Sequence, residues 1–412
     1  MIELDKFELA NGLKVIVHHD DSTPFVAFNL LYDVGAKDEN PEQTGFAHLF
    51  EHLMFSGSVN IPHYDKPLQE VGGENNAFTN NDITNYYITL PSDNIETAFW
   101  LESDRMNSLA FSEKGLEVQR QVVIEEYKQR YLNQPYGDVW LLLRPLAFKS
   151  HPYKWATIGK EISHIEGATM DDVKAFFFSR YAPNNAIISI VGDVKMAQVK
   201  ELTSKWFANL GRRDVPGRDL PAEPKQTEAR FLSVERNVPY HSIYKAYHMC
   251  ERGDPDYQTT DLLSDVLSNG KSSRLNQRLV KEQKLFSNVN AFITGDRDPG
   301  LFVITGTLMD GATMVQAEKA IENEVEKIKS DLVSEYELEK VKNKVESNLL
   351  FGEMSALNKA MNLGYFELLG DAAKVNSEVE KYRLIKREDI KRVANEILRD
   401  NNCSTLHYLS KQ

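Results

Sequence analysis

Three polar residues set inside an apolar stretch constrain this chain more than anything else in it. In Gly45-Phe46-Ala47-His48-Leu49-Phe50-Glu51-His52-Leu53-Met54-Phe55, the residues His48, Glu51 and His52 sit among side chains that favour burial. Positions four apart on a helix share a face, so His48 and His52 point the same way and Glu51 lies beside them. A buried helix with such a cluster needs a partner for its polar atoms, and two imidazoles beside a carboxylate suit a metal ion. With ten histidines in 412 residues, roughly 0.02 matches to His-x-x-Glu-His are expected by chance. Histidines bonded to backbone with a glutamate facing water would explain a lone pair, but it explains this cluster poorly.

Metal-assisted hydrolysis asks for neutral imidazoles on Zn²⁺, an open position for water, and a carboxylate to take the proton of that water. Glu51 fits the last role. A third protein ligand is still required, and the helix that Ser112 opens, running to about Tyr131, offers Glu125 and Glu126. Helical periodicity leaves both open, and for an isolated helix a surface Glu-Glu pair is the ordinary reading.

At 412 residues the chain exceeds one ordinary domain and makes two or three. Its order of elements repeats. An Asn11-Gly12 hairpin, a strand from Phe25 to Val34, the metal helix, a strand from Thr84 to Leu90, helices to about Asn107 and Tyr131, and the continuous apolar run Ala186 to Val191 make up the first pass. Residues 212–228, with Pro216, Pro221 and Pro224, read as a linker. A strand-rich stretch to His248, a helix from about Thr260, strands Ser287 to Thr294 and Leu301 to Leu308, and long charged helices make up the second. The expected division is therefore 1–211 with the metal motif and 229–412 without one, a duplicated α+β unit of strands and helices.

Sixty-one acidic against 48 basic residues give a net charge of −13, which argues against nucleic acid or an anionic membrane as a partner. Cys250 and Cys403 are the two cysteines, so no disulfide framework or cysteine-rich metal site is expected. The start Met1-Ile2-Glu3-Leu4-Asp5-Lys6 has neither a basic head nor an apolar run. A soluble cytoplasmic protein is the expectation, or a periplasmic one if a signal peptide has been removed. Gly270-Lys271-Ser272 is no phosphate loop, because Asp265 stands where the motif needs glycine. His63, His151 and His164 read as ordinary polar histidines. Four asparagines between Gly72 and Thr84 (Asn75, Asn76, Asn80, Asn81) suggest turn-rich backbone beside the metal helix, a plain loop or a surface for an extended peptide.

The reversed motif His48 to His52, the carboxylates of Val122 to Glu126 and the duplicated halves resemble the pitrilysin/insulinase family of zinc peptidases, the inverzincins. The likeness extends to the Asn11-Gly12 hairpin, Gly72-Gly73 with Asn76-Ala77-Phe78-Thr79, Tyr181 to Asn185, Gly192-Asp193 and Ser272 to Leu275, and is closest to the short processing-peptidase-like members. It implies one Zn²⁺ per chain held by His48, His52 and Glu126, with Glu51 as general base. It also implies that Phe55 lines the pocket for the residue beside the scissile bond and that Asn76 and Ala77 form the edge receiving substrate backbone. The implied fold is two homologous domains, each a mostly antiparallel sheet packed with helices, together half of a clamshell. Gln119 stands where the family has a glutamate seven residues before the third ligand. An amide there can hydrogen-bond a histidine but brings no charge.

A second departure lies in the later half. The family's self-sufficient members present an arginine and, seven residues on, a tyrosine that stabilise the developing oxyanion; Val280 and Ser287 stand there. Arg278 and Phe286 are near, but out of register, and phenylalanine has no hydroxyl. The resemblance therefore implies an endopeptidase subunit acting on peptides, completed by a homologous partner subunit, a heterodimer ahead of a homodimer. Two other readings are a structural or assembly subunit that keeps the fold without activity, and a zinc-stabilised binding module.

Overall fold

The alternating and continuous apolar runs become two sheets in the computed structural model, which describes residues 1–411. Strands β1 (Asp5–Glu8), β2 (Lys14–His19), β3 (Phe25–Tyr32), β4 (Glu74–Thr79), β5 (Thr84–Pro91) and β6 (Ala186–Gly192) form the first, in the order β1-β2-β6-β3-β5-β4. Strands β7 (Arg230–Arg236), β8 (Ser242–His248), β9 (Phe286–Ile293), β10 (Leu301–Leu308) and β11 (Cys403–Ser410) form the second, in the order β7-β11-β8-β10-β9. Each is antiparallel except at one pair, β2 with β6 and β7 with β11. Apart from the extra β1, the second order repeats the first strand for strand, so the duplication is one of topology: an α+β unit built twice.

By packing, the units are not contiguous halves. Unit 1 comprises Met1–Lys128, Trp155–Leu220 and Leu350–Ser377; unit 2 comprises Gln129–Lys154, Pro221–Leu349 and the residues from Glu378 onward. The reason is an exchanged helix. Ala356–Leu368 packs on β3 and β6 of unit 1, and Val139–Ala147 packs on β11, β8 and β7 of unit 2. In unit 1 the contact is close enough that a Cβ on Gly364 would lie 3.0 Å from Ser189 Oγ, which itself donates to the Ala360 carbonyl at 2.6 Å. β6 is covered on both faces and every residue of it is buried, which is why it reads as an unbroken apolar run.

Residues 212–228 carry no helix or strand until the edge of β7, yet they are pinned. Arg213 donates to the carbonyls of Tyr181, Met106 and Asn107, Arg218 pairs with Asp33 and Asp38, and Glu223 accepts the backbone N–H groups of Lys149, Ser150 and His151.

Three local expectations are corrected. The asparagine-rich stretch after Gly73 is a strand, β4, paired with β5 at the edge of the sheet. Asp93 and Glu96 have the spacing of a capping box for the helix that ends at about Asn107, but Asp93 does not cap it; a short 3₁₀ turn, Ser92–Asn94, leads into Ile95–Asn107 without a side-chain cap. The helix from Ser112 keeps α geometry only over Glu113–Tyr127 and continues as a wider turn through Leu132. No helix among the described residues is long and apolar enough to cross a membrane.

Candidate active site

The helix Phe46–Leu53 begins at Gly45, whose φ of +88° and close neighbours leave no room for a side chain: a Cβ would lie 2.7 Å from the Ile158 carbonyl. Phe46, Ala47, Leu49, Phe50 and Leu53 are buried. Phe50 stacks on Tyr181 and Phe177 with ring centroids 5.1 and 6.1 Å away. That seam fixes the rotation of the helix and turns His48, Glu51 and His52 to its other side. The helix Glu113–Tyr127 is started by Ser112, whose Oγ accepts the Gly115 N–H at 3.0 Å, and it buries Val123, Ile124 and Tyr127.

Between these helices His48, His52 and Glu126 come together, their ligand atoms all within 4.8 Å of one another. Glu126 Oε2 lies 3.7 Å from His48 Nε2 and 3.4 Å from His52 Nε2. Donor atoms about 2.0–2.1 Å from a tetrahedral Zn²⁺ stand about 3.4 Å apart, so the spacing and the two-imidazole, one-carboxylate set fit zinc with a fourth position left over. Of the two carboxylates that periodicity left open, Glu125 is exposed and bonds Lys128 at 2.7 Å, while Glu126 faces the histidines.

Glu51 is one helical turn from His48, and burial raises its carboxyl above the ordinary glutamate value. Hydrogen bonds from Thr79 and the charge of His52 oppose that shift, and Glu126 adds to it. Thr79 ends β4, so the edge strand and the metal helix meet at this carboxylate. Asn76 is exposed and Ala77 half-buried on β4, and the Asn76 side chain accepts the Ala77 N–H at 2.8 Å. Phe55 is half-buried against Tyr64 and Tyr86, with ring centroids at 5.5 and 5.9 Å. Behind it lies Arg105, fully buried, its guanidinium 5.3 Å from the Phe55 ring and paired in bidentate fashion with Glu102. Gln119 is half-buried two turns before Glu126.

The later positions have their own partners within unit 2. Val280 packs against the core of unit 2, Ser287 is exposed with its hydroxyl on the Thr307 carbonyl at 3.1 Å, Arg278 pairs with Glu282, and the Phe286 ring is buried. His164 Nδ1 takes up Thr44 at 2.9 Å and His151 lies 3.5 Å from Asp298, so each has a structural bond. Sequence reasoning missed Glu39, Thr79 and Arg105, all joined to the site across the chain rather than along it.

Known proteins resemble this chain in sequence and fold. Residues 14–153 match the family described as Insulinase (Peptidase family M16), and residues 167–345 match the Peptidase M16 inactive domain. The "Zinc protease PqqE" of Helicobacter pylori is 31% identical over 97% of this chain and 91% of its own length. The crystal structure of a protease from Helicobacter pylori superposes with a TM-score of 0.93 at 29% identity, covering 99% of this chain and all of that one. The periplasmic protease PqqL of Escherichia coli gives a TM-score of 0.80 at 18% identity over 99% of this chain but 48% of its own. With its metal-ready helix pair, its twice-built sheet and a relative matched nearly end to end, this chain belongs to the M16 family of peptidases.

Proposed function

We propose that the chain is a zinc-dependent endopeptidase subunit that hydrolyses peptides or unfolded polypeptides. The observation that carries this is the cluster of His48, His52 and Glu126, the one such group among the described residues, with Glu51 on the same helix as the two histidines. Bound zinc supplies Lewis acidity, lowering the pKa of water and polarising a carbonyl. His48, His52 and Glu126 hold it and leave one side open. Glu51 accepts a proton from the attacking water and returns it to the leaving amine; burial brings its carboxyl nearer the working pH, where a general base is most effective. β4 is the last strand of its sheet, so its outer edge offers backbone groups to an extended peptide running past Asn76 and Ala77 toward Phe55.

A homologous partner lacking the zinc motif would complete the site. Val280 and Ser287 offer no oxyanion donor in the positions where self-sufficient members carry them, and the chain spans about half of PqqL. The enclosed chamber of such a peptidase then takes two chains, a heterodimer ahead of a homodimer. The second half's likeness to an inactive domain favours a different reading, a non-catalytic assembly subunit; stoichiometric zinc with Glu51-dependent turnover would exclude it. The experiment is cleavage of a quenched, unstructured peptide library by the zinc-loaded chain, with Glu51→Gln as control. Full activity of the single chain sinks the partner, and zinc binding with no activity supports the split site.

A further inference from the structure

The helix that carries both histidine ligands has no side-chain cap of its own. Its N-cap is Gly45, and the first helical hydrogen bond runs from Leu49 N to the Gly45 carbonyl. Helix-start N–H groups need acceptors. Here they are supplied from outside the helix: Glu39 Oε2 accepts the Gly45 N–H and Oε1 accepts the Ala47 N–H, both at 2.9 Å. Glu39 is buried, and neither bond is replaceable by water.

The segment bearing Glu39 is itself fastened to the turn between β4 and β5. Ala36 N donates to the Asn80 carbonyl at 3.0 Å, Lys37 N donates to the Asn81 carbonyl at 2.9 Å, and Lys37 Nζ pairs with Asp82 at 2.7 Å. The approach is so close that a Cβ on Gly35 would lie 2.5 Å from Asp82 N. Thr79, immediately before this turn, is the residue that holds Glu51. One brace therefore touches the start of the metal helix and the strand end that meets the general base.

We infer that Glu39 is a positioning residue: it locks the metal helix against the β4–β5 turn and so fixes how His48 and His52 face Glu126. This rests on the zinc reading above. Removing both acceptors would free the first turn of an eight-residue helix, and His48 is the third residue of that helix. The neighbouring carboxylate does other work, since Asp38 is taken by Arg218.

The test uses the full-length chain, wild type, Glu39→Met and Glu39→Gln. Methionine keeps the length and removes both acceptors; glutamine keeps one. Three readouts are taken at a temperature where far-ultraviolet circular dichroism shows the variants folded. They are Zn²⁺ affinity by chelator competition, the visible d–d bands at Co²⁺ saturation, and backbone amide exchange of the metal-free chain. Expected for Glu39→Met are zinc binding weaker by about tenfold or more, altered cobalt bands even at saturation, and faster exchange over residues 45–53 but not over 95–107. Glu39→Gln should lie between. A purely structural residue would lower the melting temperature and leave the saturated cobalt spectrum alone, so wild-type bands, affinity and local exchange in a folded Glu39→Met would overturn the inference. If Glu39→Met does not fold, wild-type values in Glu39→Gln overturn it equally. A wild-type chain that takes up no zinc would sink the peptidase reading by itself, and amide exchange would still decide the brace. Zinc bound with no Glu51-dependent turnover would sink the peptidase reading and leave the brace standing.

Discussion

The metal helix of unit 1 and the helix Tyr257–Ser268 of unit 2 hold the same place in the repeated order, keep much of one apolar seam, and differ in chemistry on the opposite face. Gly57 and Gly270, with φ of +100° and +89°, follow them and set the register. Leu49, Phe50, Leu53 and Met54 then fall on Leu262, Leu263, Val266 and Leu267, all buried. On the other face His48, Glu51 and His52 fall on Asp261, Ser264 and Asp265. The helices Glu113–Tyr127 and Glu335–Gly352 align through their caps: Ser112 accepts the Gly115 N–H at 3.0 Å and Ser334 accepts the Glu337 N–H at 3.2 Å, which places Asn348 at the position of Glu126. The seam that builds the fold is retained twice, while the face that could do chemistry exists once. Fold and site are therefore separable, and each substitution below addresses one of them.

The largest difference between the two helices should be catalytic. Glu51→Gln is expected to lower peptide hydrolysis on the order of 10³-fold with zinc content unchanged, whereas Ser264→Ala leaves turnover at the wild-type value. Steady-state kinetics with metal analysis would check both. Loss of zinc in Glu51→Gln would recast Glu51 as a ligand. The shared seam should behave alike in both units: Phe50→Ala and Leu263→Ala each leave a core cavity and are expected to cost about 3–4 kcal/mol in denaturant unfolding. A small loss at one of them would break the equivalence. On the ligand face, His52→Asp copies unit 2 into unit 1 and should weaken zinc by more than about 100-fold. The reverse graft, Asp261→His with Asp265→His and Asn348→Glu, is expected to add a second zinc per chain by elemental analysis. A count that stays at one would show that further positions distinguish the two faces.

These pairs also explain what the sequence made readable. His48 and His52 are visible because their relation is local, four residues on one helix, and β6 is visible because both its faces are buried. Glu126 is not separable from Glu125 by periodicity; only the approach of a second helix decides between them. β4 hides because an exposed edge strand can carry Asn75 and Asn76, which read as turn residues, while its pairing with β5 supplies the backbone bonds. Glu39 lies six residues before Gly45, outside the spacing of any local capping motif. The exchanged helices Val139–Ala147 and Ala356–Leu368 are invisible for the same reason: each finds its partner strands across the chain.

The smallest effect tests what unit 2 put in place of its histidines. Asp265 Oδ1 accepts the Asn269 side-chain amide at 2.7 Å, and Asp261 accepts the Tyr382 hydroxyl at 2.7 Å. Burial, with Asp261 nearby, pushes the Asp265 carboxyl up from 3.8 to about 6. Its folded value exceeds its unfolded one, so between about pH 4 and 6 the unfolded chain releases a proton that the folded chain keeps. Stability contributed by this group is therefore full below pH 4, falls as pH rises through the window, and stays low above it. At about 1.4 kcal/mol per pH unit the cost is up to about 3 kcal/mol, and partial contact with solvent reduces it to about 1–2 kcal/mol. Asp265→Asn keeps a carbonyl for Asn269 and has no charge to bury. It should match the wild type at pH 4 and exceed it by about 1–2 kcal/mol at pH 7 in urea unfolding. No gain at pH 7 would mean that the acid unit 2 carries at the position of His52 costs nothing to bury.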